Sequence, residues 1–278
     1  MITKEISIGN YFKVGAKNPL ALFGGTCVIE NEKITLDTAE QIIKITSKLG
    51  MNYVYKSSFD KANRSSISTY RGPGIKEGLK ILKKIKDTFG IPIITDVHEP
   101  WQCEPVAEVA DIIQIPAFLC RQTDLLMAAG KTGRAINIKK AQFMAAHEMK
   151  NVIKKLEEGT SNTNILLTER GTMFGYNNLI VDMTSLVDLR KYGYPVVFDA
   201  THSTQKPGAL GNITGGAPEY TPYLLNAATS IGIDAIFAEI HPNPIDALSD
   251  SQTMIKIADL QSILERAVEL NNITHKYI

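Results

Sequence analysis

The sequence predicts a (β/α)8 barrel (TIM barrel), an α/β fold in which eight parallel strands close into a cylinder inside a ring of helices. Eight short apolar segments alternate with segments of helical period, and nearly every apolar segment ends in a polar residue. Such alternation is typical of right-handed βαβ units and a parallel sheet. The 278 residues suit one barrel of ordinary size, so we expect residues 1–278 to form a single barrel domain.

The strands can be predicted in order from the N-terminus. EISIGNYFKVGAKNP alternates weakly and contains Gly9-Asn10, which predicts a short β-hairpin that covers the barrel floor. An open, doubly wound sheet would show a dinucleotide-type glycine fingerprint at its first turn, and the GGTC of Gly24–Cys27 is not one. The eight predicted barrel strands are Ala21–Gly25, Asn52–Phe59, Pro92–His98, Ile112–Phe118, Ala135–Lys140, Asn164–Arg170, Pro195–His202 and Ala235–Pro242.

The segments between these strands have helical period. Leu36–Gly50 places Ile42, Ile45 and Leu49 toward one side and ends at a glycine suited to the position after a helix. Gly74–Gly90 carries an apolar stripe opposite its lysines. The other predicted helices are Glu104–Ala110, Thr123–Lys131, Gln142–Glu158, Met183–Lys191, Tyr220–Ile231 and Ile257–Leu270.

Polar and reactive residues lie at or just past the carboxyl ends of the predicted strands. Charged side chains at the ends of apolar strands are costly to bury without a reason. In a (β/α)8 barrel these ends form the active-site face, so the pattern predicts an enzyme. The residues are Cys27, Lys56, Asp96, Gln114, Lys139, Arg170, His202 and Glu239.

The composition bounds the partners and the compartment. A formal net charge of +1 favours neither nucleic acid nor an anionic membrane as a partner. No apolar run approaches the roughly 20 residues of a membrane span, and MITKEISIGNYFKV lacks the apolar stretch of a signal peptide. The three cysteines have no framework spacing, so we expect free thiols and a cytoplasmic protein.

One segment is rich in groups that bind anions. KSSFDKANRSS (Lys56–Ser66) holds three cations and four serines in eleven residues, which suits a phosphate or a carboxylate. A solvated surface loop is the alternative. Lys139 and Arg170, at two other strand ends, favour convergence at one barrel mouth and substrates with more than one anionic group. Lys139 is also open to interpretation as a snorkelling lysine or a Schiff-base lysine.

Four further residues form a candidate metal site. Cys27, His202, Glu239 and Asp250 follow strands one, seven and eight, and strands one and eight are neighbours in a closed barrel. A thiolate, an imidazole and carboxylates suit a borderline ion such as Zn²⁺ or Fe²⁺. The alternative is a buried, apolar role for Cys27 and a structural role for His202.

The motifs, taken together, resemble a known family. From about Leu22 to Asp250 the chain resembles 3-deoxy-D-manno-octulosonate 8-phosphate synthases. The motifs that carry the resemblance are, in order, KSSFDKANRSS, YRGPG, TDVHEPWQ, QIPAFLCRQTDL, KTGRAINIKK, LTERGTMFGYNNLIVDM, FDATHS and EIHPNP. The resemblance implies a (β/α)8 barrel that condenses phosphoenolpyruvate with arabinose 5-phosphate and water for lipopolysaccharide synthesis. The related aromatic-pathway synthase uses erythrose 4-phosphate and carries Lys-Pro-Arg-Thr or Lys-Pro-Arg-Ser where this chain has Ala62-Asn63-Arg64-Ser65.

The resemblance also bears on the metal. One branch of that family has asparagine at the end of the first strand and needs no metal, and the other has cysteine and needs a divalent ion. Cys27, with DATHS around His202 and ALSDS around Asp250, resembles the metal branch and implies Zn, Fe or Mn. The chain departs from that branch in reading Gly25-Thr26-Cys27, where many members have Gly-Pro-Cys, and its N-terminal extension looks more like the metal-independent branch.

Roles for individual residues follow from the same resemblance. It implies that Lys139 and Arg170 bind the phosphate of phosphoenolpyruvate, assisted by Gln114 and the Ala117 amide. The residues implied nearer its carboxylate and reacting carbons are Lys56 and Lys61.

At the sugar end, the resemblance implies that Asn63, Arg64 and Ser65 hold the phosphate of arabinose 5-phosphate. It also implies that Arg121 reaches this phosphate from a neighbouring subunit of a homotetramer. Candidates for proton transfer are Asp96 and His98, a pair that can also be interpreted as a structural hydrogen-bonded unit.

Two functions of other classes are alternatives to this synthase. A Schiff-base aldolase would form an adduct at Lys139 that borohydride traps. A non-catalytic sugar-phosphate-binding barrel would bind both ligands and release no phosphate.

Overall fold

Eight parallel strands close into a barrel, which confirms the predicted fold class. The computed structural model describes residues 1–64, 66–210 and 213–277. Each barrel strand pairs with the next, and Ala235 in the eighth lies opposite both Ala21 in the first and Val197 in the seventh. The barrel strands, first to eighth in chain order, are Ala21–Gly25, Asn52–Lys56, Ile93–Asp96, Ile112–Ile115, Ala135–Lys139, Ile165–Glu169, Val196–Asp199 and Ala235–His241.

A ring of α-helices surrounds the barrel. The first begins at Glu32, earlier than predicted, because the Asn31 side chain accepts the Ile34 amide and caps it. None of the helices in the described ranges combines the length and apolar character that spanning a lipid bilayer requires. The helices, first to eighth, are Glu32–Lys48, Ile75–Phe89, Cys103–Ala107, Thr123–Lys131, Met149–Thr160, Met183–Arg190, Thr221–Ile231 and Ile257–Thr274.

The fifth helix begins at Met149 and not, as the sequence predicted, at Gln142. The reason is the buried Lys140, whose ammonium donates to the carbonyls of Ala141 at 3.3 Å and Met144 at 3.0 Å. These carbonyls turn inward toward the lysine, so the segment between strand and helix cannot follow a helical path. Only a short 3₁₀ turn, Ala146–Glu148, precedes the helix.

Several short strands that the sequence did not predict lie in the loops at the carboxyl ends of the barrel strands. Thr172–Met173 pairs with Leu179–Ile180 after the sixth strand. Gln205–Leu210 pairs with Ile213–Gly216 after the seventh, and Ile255–Lys256 pairs in parallel with the end of the eighth. The loops of this face therefore carry structure of their own.

The barrel strands are buried on both faces, as expected for a parallel sheet covered by helices. Every residue in them is buried except Asn52, which is intermediate. The polar residues at their carboxyl ends are therefore buried as well. Each such side chain needs a hydrogen-bonding or charged partner, from the protein or from a ligand.

The predicted N-terminal hairpin is present and lies on the barrel floor. Its strands, Ile6–Ile8 and Phe12–Val14, pair antiparallel. The Thr3 hydroxyl donates to Asp234 at 3.0 Å, just before the eighth strand. The buried Arg190 guanidinium donates to the other Asp234 oxygen at 2.9 Å and to the Met1 carbonyl at 2.8 Å. This ion pair joins the N-terminus to the floor.

We expect Asp234→Ala to destabilise the protein by about 3–5 kcal/mol, because it leaves the Arg190 charge buried without its partner. The matched control is Asp188→Ala, which removes an exposed partner of Lys191 and should cost at most about 1 kcal/mol. Urea unfolding of both variants measures the difference. Equal losses in the two variants would show that this pair does not fasten the floor.

Candidate active site

A cavity of about 320 Å³ opens at the carboxyl ends of the barrel strands. Enzymes with this fold carry their active sites at this face. The cavity wall brings together side chains from separate strands that the sequence had singled out. The predicted residues that line it are Lys56, Lys61, Asn63, Asp96, His98, Gln114, Ala117, Lys139, Arg170, His202 and Glu239.

The second strand contributes a buried lysine. The Lys56 side chain is 2% exposed, and its ammonium donates to the Ser58 hydroxyl at 3.0 Å. The carboxylates of Asp96 and Glu239 lie 3.7 and 4.0 Å away, beyond the length of a direct charged hydrogen bond. An ammonium has three donors, so Lys56 retains donor capacity toward the cavity.

Asp96 and His98, from the third strand and the loop after it, form a hydrogen-bonded pair. His98 Nε2 lies 3.1 Å from Asp96 Oδ2, and the Ser58 hydroxyl donates to Asp96 Oδ1. Burial opposes ionisation of Asp96, but Lys56 and His98 hold the pKa of its carboxyl well below the usual range. His98 Nδ1 is buried with no hydrogen-bond partner within the described ranges. The pair is thus able to exchange a proton with a ligand.

Lys139 and His202 share one buried carboxylate, Asp199. The ammonium lies 2.6 Å and the imidazole Nδ1 2.8 Å from Asp199 Oδ2. The ammonium also lies 3.6 Å from the centre of the Phe237 ring, close enough for a cation–π interaction. Burial lowers the pKa of Lys139, and Asp199 partly offsets that effect. The contact at Nδ1 orients His202 so that its Nε2 faces Glu239.

Arg170 presents part of its guanidinium to the cavity without a partner among the described residues. The Glu169 carboxylate accepts the amides of Arg170 at 3.0 Å and Gly171 at 2.8 Å, and this fixes the turn. Gly171 has a φ of +94°, which glycine adopts without strain. Nη2 donates to Gln205 at 2.8 Å, but Nε and Nη1 are buried and bond to no described residue. Guanidinium N–H groups in this state suit an anionic ligand such as a phosphate.

Glu239, in the eighth strand, is a fully buried carboxylate whose two oxygens accept no hydrogen bond from the described residues. Its Oε1 lies 3.5 Å from Lys61 Nζ and 3.6 Å from His202 Nε2. A buried carboxylate with only such long contacts is poorly compensated. The position is therefore suited to a cation that would approach these oxygens more closely.

Cys27, Glu239 and Asp250 form a compact cluster of candidate metal ligands. Their ligand atoms all lie within 4.8 Å of one another, and Cys27 Sγ is 3.0 Å from Asp250 Oδ2. Ligand atoms lie about 2.0–2.3 Å from a bound Zn²⁺, so only small side-chain movements are needed to enclose an ion. His202 lies at the edge of the cluster, 3.6 Å from Glu239. The donor set fits a divalent cation.

The groups around Cys27 determine whether its thiol is protonated. Burial, with Asp250 and Glu239 nearby, raises the pKa of the Cys27 thiol well above its usual range. Without a cation the thiol therefore stays protonated and donates to Asp250. A metal ion binds the thiolate, so its binding would release this proton.

The remaining predicted residues lie in other environments. Gln114 donates to Asn137 at 2.8 Å, which fixes its amide at the cavity wall. Arg64 donates to the carbonyls of Tyr70 and Leu248 and does not line the cavity. Arg121 is exposed and also lies outside this wall. Ser65 lies outside the described residues.

Several residues of the site were not predicted from the sequence. Asp199 ends the seventh strand inside FDATHS, so the rule that picked the other strand-end residues would also have found it. Gln205 bonds both Arg170 and Asp250, at 2.8 and 3.2 Å, and lies in a hairpin that no pattern predicted. Ser58, which the sequence grouped with the anion-binding serines, instead accepts from the Lys56 ammonium, and Phe237, a core residue by its sequence pattern, lies under the Lys139 ammonium.

Comparison with known proteins gives consistent results. The sequence profile described as the DAHP synthetase I family matches residues 4–276. The chain is 55% identical over 269 residues to a 2-dehydro-3-deoxyphosphooctonate aldolase of Fusobacterium nucleatum, covering 97% of this chain and 96% of that protein. A protein of the same name from a Synechococcus species is 55% identical, covering 95% of this chain and 92% of that protein. Another from Geotalea daltonii is 53% identical, covering 95% of this chain and 97% of that protein.

These matches span nearly the whole chain and include every strand that contributes to the cavity. They confirm the family resemblance that the motifs indicated. The chain belongs to the DAHP synthetase I family and, within it, to the 2-dehydro-3-deoxyphosphooctonate aldolases.

Proposed function

We propose that the chain is a 3-deoxy-D-manno-octulosonate 8-phosphate synthase, another name for 2-dehydro-3-deoxyphosphooctonate aldolase. It condenses phosphoenolpyruvate with D-arabinose 5-phosphate and water, giving 3-deoxy-D-manno-octulosonate 8-phosphate and phosphate for lipopolysaccharide biosynthesis. The observation that carries this proposal is the convergence of Lys56, Lys61, Lys139 and Arg170 on one cavity. Several cations at one site suit substrates with several anionic groups. The high identity to aldolases of that name supports the particular reaction.

Phosphoenolpyruvate occupies the deeper part of this cavity. Its phosphate lies on Lys139 and Arg170, and this assignment is supported by Nε and Nη1 of Arg170, which bond to no residue in the described ranges. Gln114 and the Ala117 amide assist from the neighbouring strand end. Its carboxylate and reacting carbons lie nearer the residues that remain, Lys56 and Lys61.

Arabinose 5-phosphate binds nearer the opening. Asn63, which lines the cavity, holds its phosphate end together with Arg64 and Ser65. Arg64 would have to exchange its two carbonyl acceptors, at 3.0 and 2.8 Å, for the phosphate. A phosphate is the stronger acceptor, so this exchange is favourable. Arg121 reaches the phosphate from a neighbouring subunit of a homotetramer, which its exposed position outside this chain's cavity supports.

The residues act mainly by positioning and electrostatics. Carbon C3 of the enol attacks the sugar aldehyde while water adds at C2, where positive charge develops. The resulting hemiketal phosphate loses phosphate by cleavage of the C–O bond. Lys139 and Arg170 stabilise the departing phosphate, and the Asp96–His98 pair transfers a proton.

Cys27, His202, Glu239 and Asp250 would hold a divalent ion, Zn, Fe or Mn. When bound, the ion orients the aldehyde and a sugar hydroxyl, or activates water. The Glu239 oxygens, which accept no hydrogen bond from the described residues, support this assignment. In the metal-independent alternative, the Lys61 ammonium, 3.5 Å from Glu239, supplies the positive charge and Cys27 only packs. The three cysteines are free and buried, which supports action in the cytoplasm.

We expect arabinose 5-phosphate to be preferred over erythrose 4-phosphate by at least about 100-fold in kcat/KM. Erythrose 4-phosphate lacks one hydroxymethylene group, and a site built to bind that hydroxyl is left with unpaired polar groups. Asn63, where the aromatic-pathway enzyme has proline, motivates this expectation. Phosphate release from phosphoenolpyruvate with each aldehyde measures the ratio, and comparable values would contradict the assignment.

Arg170→Ala and Lys139→Ala should each lower kcat/KM by about 10- to 150-fold or more, because each removes a charged hydrogen bond to the departing phosphate. Both proteins should stay folded by circular dichroism. Lys154→Ala, which removes an exposed lysine of the fifth helix, is the control and should leave turnover unchanged. Near-normal kcat/KM in Arg170→Ala would place the phosphate elsewhere.

We expect purified protein to hold about one divalent ion per subunit at most, and a chelator to abolish turnover reversibly. Cys27→Ser should weaken metal binding because a hydroxyl replaces thiolate poorly. Cys27→Asn should keep some chelator-resistant turnover, since asparagine can position substrate or water by hydrogen bonds. Metal content comes from elemental analysis. Equal turnover rates for metal-free and metal-loaded wild-type protein would show that Cys27 is a packing residue and not a metal ligand needed for turnover.

A further inference from the structure

The loop that carries Asp250 is anchored at Leu248, two residues earlier, through both backbone polar groups of that residue. The Leu248 amide donates to Glu30 Oε1 at 3.0 Å, and the Leu248 carbonyl accepts from Arg64 Nη2 at 2.8 Å. The next residue, Ser249, lies with its hydroxyl 3.0 Å from Cys27 Sγ. The path of the loop toward Cys27 therefore depends on these two bonds to Leu248.

Glu30 is well placed to fix this loop relative to the first and eighth strands. It follows Cys27 by three residues, and its side chain is 6% exposed. The same Oε1 faces His241 Nε2 at 3.5 Å, and His241 ends the eighth strand, two residues after Glu239. The Glu30 carboxylate thus contacts both the end of the eighth strand, which carries Glu239, and the loop that carries Asp250.

The backbone of Asp250 provides an independent reason why the loop needs support. Its φ is +47°, in the left-handed region that residues other than glycine rarely adopt. Such a conformation has a free-energy cost and persists only where the surrounding contacts determine it. The Asp250 side chain accepts from Gln205 at 3.2 Å, but that bond holds the carboxylate and not the path of the loop. The Thr253 amide donates to the Asp250 carbonyl at 3.0 Å and holds the backbone after Asp250, while the anchor at Leu248 holds the backbone before it.

We propose that Glu30 is a positioning residue that holds the Leu248–Asp250 segment so that the Asp250 carboxylate meets Cys27 and Glu239. The inference rests on the metal site of the proposed function and adds to it a residue that touches neither metal nor substrate. Because Arg64 bonds the carbonyl of the same residue, Leu248, the segment also lies between the metal cluster and the sugar-phosphate site. Outer residues that orient metal ligands typically contribute about 10- to 100-fold to metal affinity.

The test compares the full-length wild-type protein with Glu30→Ala and with Glu30→Gln, which keeps an oxygen acceptor for the Leu248 amide. Zn²⁺ affinity is measured by competition with a chromophoric chelator. We expect Glu30→Ala to weaken Zn²⁺ binding by about 10- to 100-fold and Glu30→Gln to recover part of this loss. Asp246→Ala is the matched control, since it removes an exposed carboxylate from the same stretch of chain and should leave the affinity unchanged.

A second measurement does not depend on metal. In metal-free protein, amide hydrogen exchange of peptides covering 247–251 should be faster in Glu30→Ala than in the wild type and unchanged in Asp246→Ala. If Glu30→Ala kept both the Zn²⁺ affinity and the amide protection of the wild type, the inference about Glu30 would be overturned and the metal site would stand. Cys27→Ala serves as the reference variant in which the metal site itself is lost. If the wild type itself bound no Zn²⁺, the metal site would fail and the role of Glu30 toward it would fail as well.

Discussion

The central constraint in this structure is the burial of four cationic side chains at the carboxyl end of a closed barrel. Lys56, Lys61, Lys139 and Arg170 come from separate strands and loops and face one cavity. Removing a charge from water costs several kcal/mol unless it is paired. The barrel offsets part of this cost with one close carboxylate, Asp199 beside Lys139, and with the more distant carboxylates of Asp96 and Glu239 beside Lys56 and Lys61. The remaining compensation comes from anionic substrates, so the same feature that costs stability defines the ligands.

The carboxylates of the site differ in how closely they contact the buried cations. Asp199 binds Lys139 and His202 closely and so fixes the orientation of both. Glu239 makes no close contact in the described structure and leaves its oxygens available for a cation. Four carboxylates, Asp96, Asp199, Glu239 and Asp250, balance the four cations when no ligand is bound. A divalent ion that displaced the Cys27 proton would add one net positive charge and strengthen attraction for two anionic substrates.

The sequence predicted the barrel well because its strands are short, apolar and closed by glycine or polar residues. The boundaries were wrong where a buried polar residue reorganises the backbone, as Lys140 does before the fifth helix. At the site, strand-end position found Lys56, Lys139 and Arg170, and the KSSFDKANRSS segment contained Lys61. Gln205 and Glu30 could not be found this way, because each acts through a contact with a residue distant in sequence. Such contacts are set by the closed barrel and not by local pattern.

The central claim is that two anionic substrates react with each other in this cavity. The direct test is to incubate the protein with phosphoenolpyruvate and arabinose 5-phosphate, separately and together, and to measure phosphate and product by mass spectrometry. We expect phosphate only when both are present, in equal amount to an eight-carbon sugar acid phosphate. Phosphate release from phosphoenolpyruvate alone, or tight binding of both compounds with neither phosphate nor product, would contradict the account.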